Sequence, residues 1–217
     1  MVLAERWPGE PSQDGGRFDI LAAAAACFTE RGYAATSIDD VARRLGATKG
    51  RVYHHFPSKA DLFAEIFRAG MDMNYEAVGP LRDLPGRAVA VWKRMARTHV
   101  EMMIKTKPFQ RTVWEGVEMH LRGSTTPEQR SVFAGLIDYR TRYGDLFKDV
   151  MVRARDEGDM RFDNLSIANQ MMFMTLNSPI FWYSPRADET AEEHAALVEQ
   201  VVDFALGGLG GKTGMTR

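Results

Sequence analysis

Apolar residues return at every third or fourth position over most of the chain, which is the spacing of one face of an α-helix. No stretch alternates apolar and polar residues between hairpin turns as strands do. Phe18, Leu21, Ala22, Ala25 and Phe28 predict a first helix over about 17–31, with Gly32 as its left-handed stop. Thr36 followed by Asp39 reads as a capping box that opens a second helix, whose buried stripe is Ile38, Val41, Ala42 and Leu45. Gly46 permits a tight turn. Thr48 caps a short third helix that ends near Phe56-Pro57, and Ser58 with Asp61 caps a longer fourth carrying Leu62, Phe63, Ile66, Phe67 and Met71.

Breaks at Gly79-Pro80 and Pro85-Gly86 mark the start of a second region. Its periodicity predicts helices over about 87–105 and 109–121, the second stopping at Gly123. Another is opened by Thr126-Pro127-Glu128-Gln129 and runs to Glu157, before Gly158. Asp163 caps a helix with no charge from Leu165 to Tyr183, and Thr190 with Glu193 caps a last one ending at Gly207-Gly208. The expectation is an all-α chain of about nine helices. It divides into a flexible arm (1–16), a helix-turn-helix region (17–70), a helical region (71–208) and a mobile tail (209–217).

The third helix changes the picture from architecture to chemistry. From Val41 to Ala60 there is no acidic residue, while Arg43, Arg44, Lys49, Arg51 and Lys59 are basic and Tyr53, His54 and His55 stand among them. Two short amphipathic helices joined at a glycine, the second basic and free of carboxylates, suit docking in a DNA major groove, where every phosphate repels an acid. Residues 1–70 carry nine Lys/Arg against nine Asp/Glu, and the whole chain of 217 residues has a net charge of −1. Any affinity for nucleic acid therefore comes from local placement of charge.

Composition narrows the rest. A 45% hydrophobic and 26% charged chain is an ordinary globular protein, and a lone cysteine, Cys27, excludes a disulfide scaffold and a cysteine-rich zinc site. The first sixteen residues lack a long apolar run, so no secretory signal is expected and the cytoplasm is the expected compartment. Leu165 to Pro185 approaches a membrane span in length, but Asn169, Gln170, Asn177, Ser178 and Pro179 fit lipid poorly. A helix buried on most sides within protein, with no membrane partner, is expected instead.

The stretch FTERGYAATSIDDVARRLGATKGRVYHHFPSKADLF resembles the DNA-binding domain of TetR-family transcriptional repressors. Gly32, Thr36, Ile38, Val41-Ala42, Gly46, Gly50, Tyr53, Phe56 and Lys59 carry the likeness, which covers roughly residues 17–70. The segment FWYSPRADETAEEHAALVEQVVDFALGGL is similar to the end of the branch that senses acyl compounds and steroid-catabolism intermediates. The resemblance implies a homodimer, a C-terminal helical ligand-binding and dimerisation domain, and release from a DNA operator when a small molecule binds. It also implies backbone contacts by Tyr53 and His54.

The residues themselves suggest a division of labour between positioning and base reading. Thr36 with the first amides of its helix, Thr48, Tyr53, His54 and Lys59 are candidates for phosphate. Lys49 and Arg51 are candidates for base edges, with Ala47 or Thr48 against a thymine methyl, and Gly50 lets the helix approach closely. For an apolar effector the candidates are Trp92, Met95, His99, Met102, Trp114, Tyr143, Phe173, Asn177 and Phe181, in a chain with thirteen methionines. Val198, Val201, Val202 and Ala205 on the last helix are the candidates for a dimer interface. No phosphate-binding glycine loop, zinc-protease signature or nucleophile elbow is present, so neither an enzyme nor a metal or cofactor is expected. The alternative is a ligand-independent architectural DNA-binding protein.

Overall fold

The structure, a computed structural model, describes residues 16–122 and 127–211. The expected arm before Gly16, the Gly123 stop, the Thr126 cap and the tail from 212 onward lie outside the described residues. Among the described residues ten α-helices follow in order: α1 (Arg17–Ala35), α2 (Ile38–Leu45), α3 (Lys49–His55), α4 (Lys59–Val78), α5 (Ala88–Lys105), α6 (Lys107–Arg122), α7 (Pro127–Asp156), α8 (Leu165–Asn177), α9 (Pro179–Trp182) and α10 (Ala191–Gly208). A 3-10 turn over Gly79–Leu81 follows α4. No strand is present among the described residues.

The chain forms two compact units, one of residues up to Met73 with Thr106–Arg140, the other of Asn74–Lys105 with Thr141 onward. This differs from a boundary near residue 70, because α6 and the start of α7 pack with the helix-turn-helix. The first unit is held by aromatic residues. Phe63 meets Phe28 at 5.6 Å, Tyr33 at 4.9 Å and Phe133 at 5.8 Å between ring centroids, and Phe18 stacks on Phe109. The expected stripe on α4 is buried throughout. On α1 the buried face runs through Ile20, Ala24 and Cys27 as well as Leu21, Ala25 and Phe28, which leaves Ala22 only half-buried.

The second unit centres on α5, which buries Val91, Trp92, Met95, Ala96, His99 and Val100. Glu157 accepts the backbone N–H of Ala88 at 2.8 Å and so serves the α5 N-terminus. Lys93 with Asp203 and Arg97 with Glu199 tie α5 to α10. The expected Thr190–Glu193 capping box opens α10.

Four expectations are corrected here. Asn164, not Asp163, caps α8, accepting from the Ile167 N–H at 3.0 Å. The uncharged stretch is not one helix, because Pro179 lacks the N–H that would continue α8, and a separate turn, α9, follows Ser178. Nor is it buried on most sides. Asn169, Met172, Phe173 and Leu176 face inward, while Ile167 and Met171 are each 63% exposed and Trp182 is 57% exposed. Finally, residues 209–211 are not loose: Leu209 is buried and its carbonyl accepts from the Arg161 N–H at 2.8 Å.

The dimer candidates need a fifth correction. Val198, Val202 and Ala205 are buried within their own chain, where α10 packs on α5 and α8, while Val201, though largely covered, also lines the groove beside Phe204. The outward face of α10 carries Phe204, 74% exposed. Val202→Asp should therefore place an unpaired charge in the core and cost about 3 kcal/mol or more, while Phe204→Asp should leave the melting midpoint of a single chain near wild type. Calorimetry that found the Val202→Asp protein as stable as wild type would return this stripe to the surface.

Candidate functional site

The recognition element is built from the turn outward. Gly46 adopts the left-handed conformation (φ 67, ψ 30), and the Ala47 N–H bonds to the Ala42 carbonyl at 2.9 Å, which ends α2 and redirects the chain. Thr48 then caps α3, its hydroxyl oxygen accepting from the Arg51 N–H at 3.3 Å. Val52 and Phe56, four residues apart, are wholly buried and anchor α3 by one side. The opposite side carries Lys49, Gly50, Arg51, Tyr53 and His54, all exposed; His55 is half-buried.

Gly50 has a particular place on this face. A side chain there would meet nothing nearer than the Thr48 hydroxyl at 3.9 Å, so the folded chain has no need of a glycine at this position. Its bare backbone leaves close access to α3 from outside.

The basic residues around α3 are held by acids that precede them. Lys49 pairs with Asp39 at 2.9 Å and lies over the Tyr53 ring, Arg43 pairs with Asp40 at 3.2 Å, and Arg44 pairs with Glu30 at 2.7 Å. All three pairs are solvent-facing on the basic side, where an ion pair contributes about 0–1 kcal/mol. Such pairs are cheap to exchange for phosphate.

Two sequence candidates sit differently from expectation. Thr36 is buried, and its hydroxyl donates within the chain, to the carbonyls of Gly32 at 2.8 Å and Cys27 at 3.2 Å. The capping box at α2 is formed one residue later, by Ser37 and Asp40, so the exposed hydroxyl at this N-terminus belongs to Ser37. The sequence signal was there, since Ser37-x-x-Asp40 fits the capping pattern as well as Thr36-x-x-Asp39. Lys59 is half-buried and donates to the carbonyls of Tyr33 and Thr36, both at 2.9 Å, with its ammonium over the Tyr33 ring. Only its third proton remains for an anion.

The effector candidates divide between the units. Trp114 belongs to the first, where it lines a cavity of about 170 Å³ with Phe28, Arg111 and Glu118. Trp92, Met95, His99, Met102, Tyr143, Phe173 and Asn177 belong to the second, and all but the half-buried Asn177 are buried. Phe181 is 45% exposed, because α9 turns it away from the core.

His99 organises the second set. Its Nε2 faces the Asn177 Oδ1 at 2.8 Å, and an amide oxygen only accepts, so Nε2–H donates. Its Nδ1 then accepts from the Tyr143 hydroxyl at 2.9 Å. Burial, with Tyr75 adding to it, pushes the Tyr143 phenol well above its ordinary value, which keeps it a donor. Phe147 and Phe173 enclose the imidazole with edge-on rings at 6.0 and 5.3 Å, and Trp92 donates to the Met172 sulfur. A second histidine, His194, lies between Glu101 at 2.9 Å and Tyr183 at 3.3 Å; burial and a hydrogen bond to Glu189 push Tyr183 up to about 12. Among the described residues no cluster suits a metal ion, and no helix is long and apolar enough to cross a membrane.

A short basic helix presented behind a left-handed glycine turn, on an all-helical chain, defines a helix-turn-helix DNA-binding regulator. Residues 20–66 match the family of bacterial regulatory proteins of the tetR type, and residues 86–209, more than half of the chain, match the tetracyclin repressor-like C-terminal domain. The chain belongs to the TetR family of helix-turn-helix transcriptional regulators.

Among its relatives is the HTH-type transcriptional repressor KstR2 of Mycobacterium tuberculosis, 26% identical over 202 residues, covering 89% of this chain and 92% of the relative. The KstR2 structure superposes with a TM-score of 0.75 at 23% identity, over 93% of this chain and 98% of that one. PfmR from Thermus thermophilus gives 0.68 at 29% identity, over 84% and 96%. AibR, solved with isovaleryl coenzyme A and operator DNA, gives 0.69 at 23% identity, over 89% and 97%.

Two outcomes follow from this geometry. Gly50→Ala should raise fold stability by up to about 1 kcal/mol, because alanine is the better helix former, yet weaken DNA binding. Chemical denaturation beside gel shifts checks both signs, and a variant that binds DNA as well as wild type would take α3 off the duplex. Separately, hydrogen bonds from the Ser37 hydroxyl and N–H hold the Asp40 carboxyl down at about 2. Its contribution to stability is thus complete above the ordinary carboxylate value and lost as pH falls toward 2. In an acid titration followed by circular dichroism, Asp40→Asn should flatten that part of the curve.

Proposed function

We propose that the protein is a ligand-responsive transcriptional repressor. It binds a palindromic operator in double-stranded DNA as a homodimer in the cytoplasm, and a largely apolar small molecule, acyl- or steroid-derived, releases it. The observation that carries this reading is the outward face of α3, with Gly50 bare, Thr48, Tyr53 and His54 exposed for phosphates and Lys49 and Arg51 for base edges. The relationship to the repressor KstR2, whose structure is described as that of a ketosteroid transcriptional regulator, supports both repression and the effector class.

The second copy has a surface to meet. Met171, Met174, Trp182, Leu197 and Phe204 line a groove of about 750 Å³ between α8, α9 and α10. Exposed apolar area of this kind marks an interface, and α8 with α10 from each protomer makes a four-helix contact. The effector core is the His99–Tyr143–Asn177 chain with its surrounding rings, which orients a ligand through few polar groups. A ligand shifts the protein off DNA only by its differential affinity for the two states.

The test is a gel shift against genomic fragments, including the chain's own promoter, beside light scattering. Wild type should form a dimer that shifts a specific fragment, with affinity falling as salt rises. Phe204→Asp should become monomeric and lose the shift. A Phe204→Asp protein that stays dimeric would move the interface, and binding without any sequence preference would defeat the operator reading.

A further inference from the structure

One polar atom inside the second unit has nothing to bond to. Among the described residues the Asn169 Oδ1 is the only buried side-chain polar atom without a hydrogen-bond partner. Asn169 is 8% exposed and lies on the inner face of α8 with Met172, Phe173 and Leu176. Buried polar groups are nearly always paired, and an orphaned carbonyl oxygen in a core weakens the fold until something supplies a donor.

The residues around it supply none. Gly144 of α7 faces the amide: a side-chain carbon there would stand 3.3 Å from the Asn169 nitrogen and 3.7 Å from the Phe173 ring. Glycine is unfavourable in the middle of a helix, and here it lets α7 and α8 approach. The donors of the same core are engaged elsewhere. The Tyr143 hydroxyl, one residue before Gly144, donates to His99, the His99 Nε2–H donates to Asn177, and Trp92 donates to the Met172 sulfur.

Phe173 joins this oxygen to the effector core. Asn169, Phe173 and Asn177 follow one another by four residues and share one side of α8. The Phe173 ring packs beside Gly144 at one end of that row and lies 5.3 Å from His99, which Asn177 holds, at the other. Eight residues of helix, about 12 Å, separate the two amides. Like His99, Asn169 is closed to solvent, and the effector reading already requires this core to open.

We propose that the Asn169 Oδ1 accepts a hydrogen bond from the effector, so that the effector is an apolar molecule bearing a hydroxyl or an amide N–H. The inference rests on the effector reading above and sharpens it, since an apolar body alone would leave the oxygen orphaned. An alcohol supplies the donor as O–H, and an acyl amide supplies it as N–H.

The experiment titrates the full-length protein by calorimetry with matched pairs in which the second member lacks the donor: 1-octanol and methyl octyl ether, testosterone and androstenedione, N-methyloctanamide and N,N-dimethyloctanamide. Wild type should bind the donor-bearing member of at least one pair about ten- to a hundredfold tighter than its twin. Preference within an alcohol pair assigns O–H, and preference within the amide pair assigns N–H. Asn169→Leu and Asn169→Ala should bring that ratio close to one, and either variant suffices if the other does not fold. A general loosening of the core would weaken both members alike and leave the ratio as it was. A wild-type ratio near one, a preference for the donorless member, or a ratio kept by the variants overturns the proposal while leaving an apolar effector in place. Silence of every probe on wild type overturns the effector reading and this inference with it.

Discussion

The backbone break at Gly32 is the joint on which the first unit depends. Gly32 leaves the helix at φ 78 and ψ 161, a conformation closed to ordinary side chains, and the polar groups it frees must find partners. Glu115 on α6 accepts the Tyr33 N–H at 2.7 Å. Lys59, the first residue of α4, donates to the carbonyls of Tyr33 and Thr36. The Thr36 hydroxyl closes back on Gly32. One break thus ties together the last turn of α1, the entry to α2, the start of α4 and Glu115 of α6. Each group left unsatisfied would cost about 1–3 kcal/mol, so the joint holds one arrangement, and that arrangement sets how α3 is offered to solvent.

Outside the joint the recognition face is held lightly. The pairs Lys49–Asp39, Arg43–Asp40 and Arg44–Glu30 keep the basic side chains near the surface without burying them. A rigid support with loosely paired cations on it suits a partner that is a line of phosphates. The second unit differs: a polar chain, His99, Tyr143 and Asn177, runs inside its apolar core, and some of its large apolar side chains, Met171, Trp182 and Phe204, are exposed. On the proposed reading, the polar chain among aromatic rings meets the effector and the apolar exterior meets the second copy.

Local structure was legible in the sequence because it is written in short-range chemistry. The glycine at 46, the caps at Thr48, Ser58 and Thr190 and the α4 stripe all lie where their spacing puts them. The errors come from choices that local spacing cannot make. Thr36 and Ser37 both fit a capping pattern, and only the demand of the Gly32 carbonyl for a donor decides between them. On α10 apolar residues cover more than one face, so Val202 and Phe204 look alike until α5 and α8 claim one of them. Trp114 reads as part of the effector core by residue type alone, but α6 packs with α1 through Glu115 and Phe109. The Lys59 bonds span 23 and 26 residues of chain, beyond any motif.

The central claim is that α3, carried by this joint, reads a defined DNA sequence. Selection of randomised duplexes by the purified protein, followed by sequencing of the bound pool, tests it most directly. The account predicts one enriched element with two inverted half-sites about one helical turn apart, or a multiple of it. A bound pool with the composition of the starting library would contradict it.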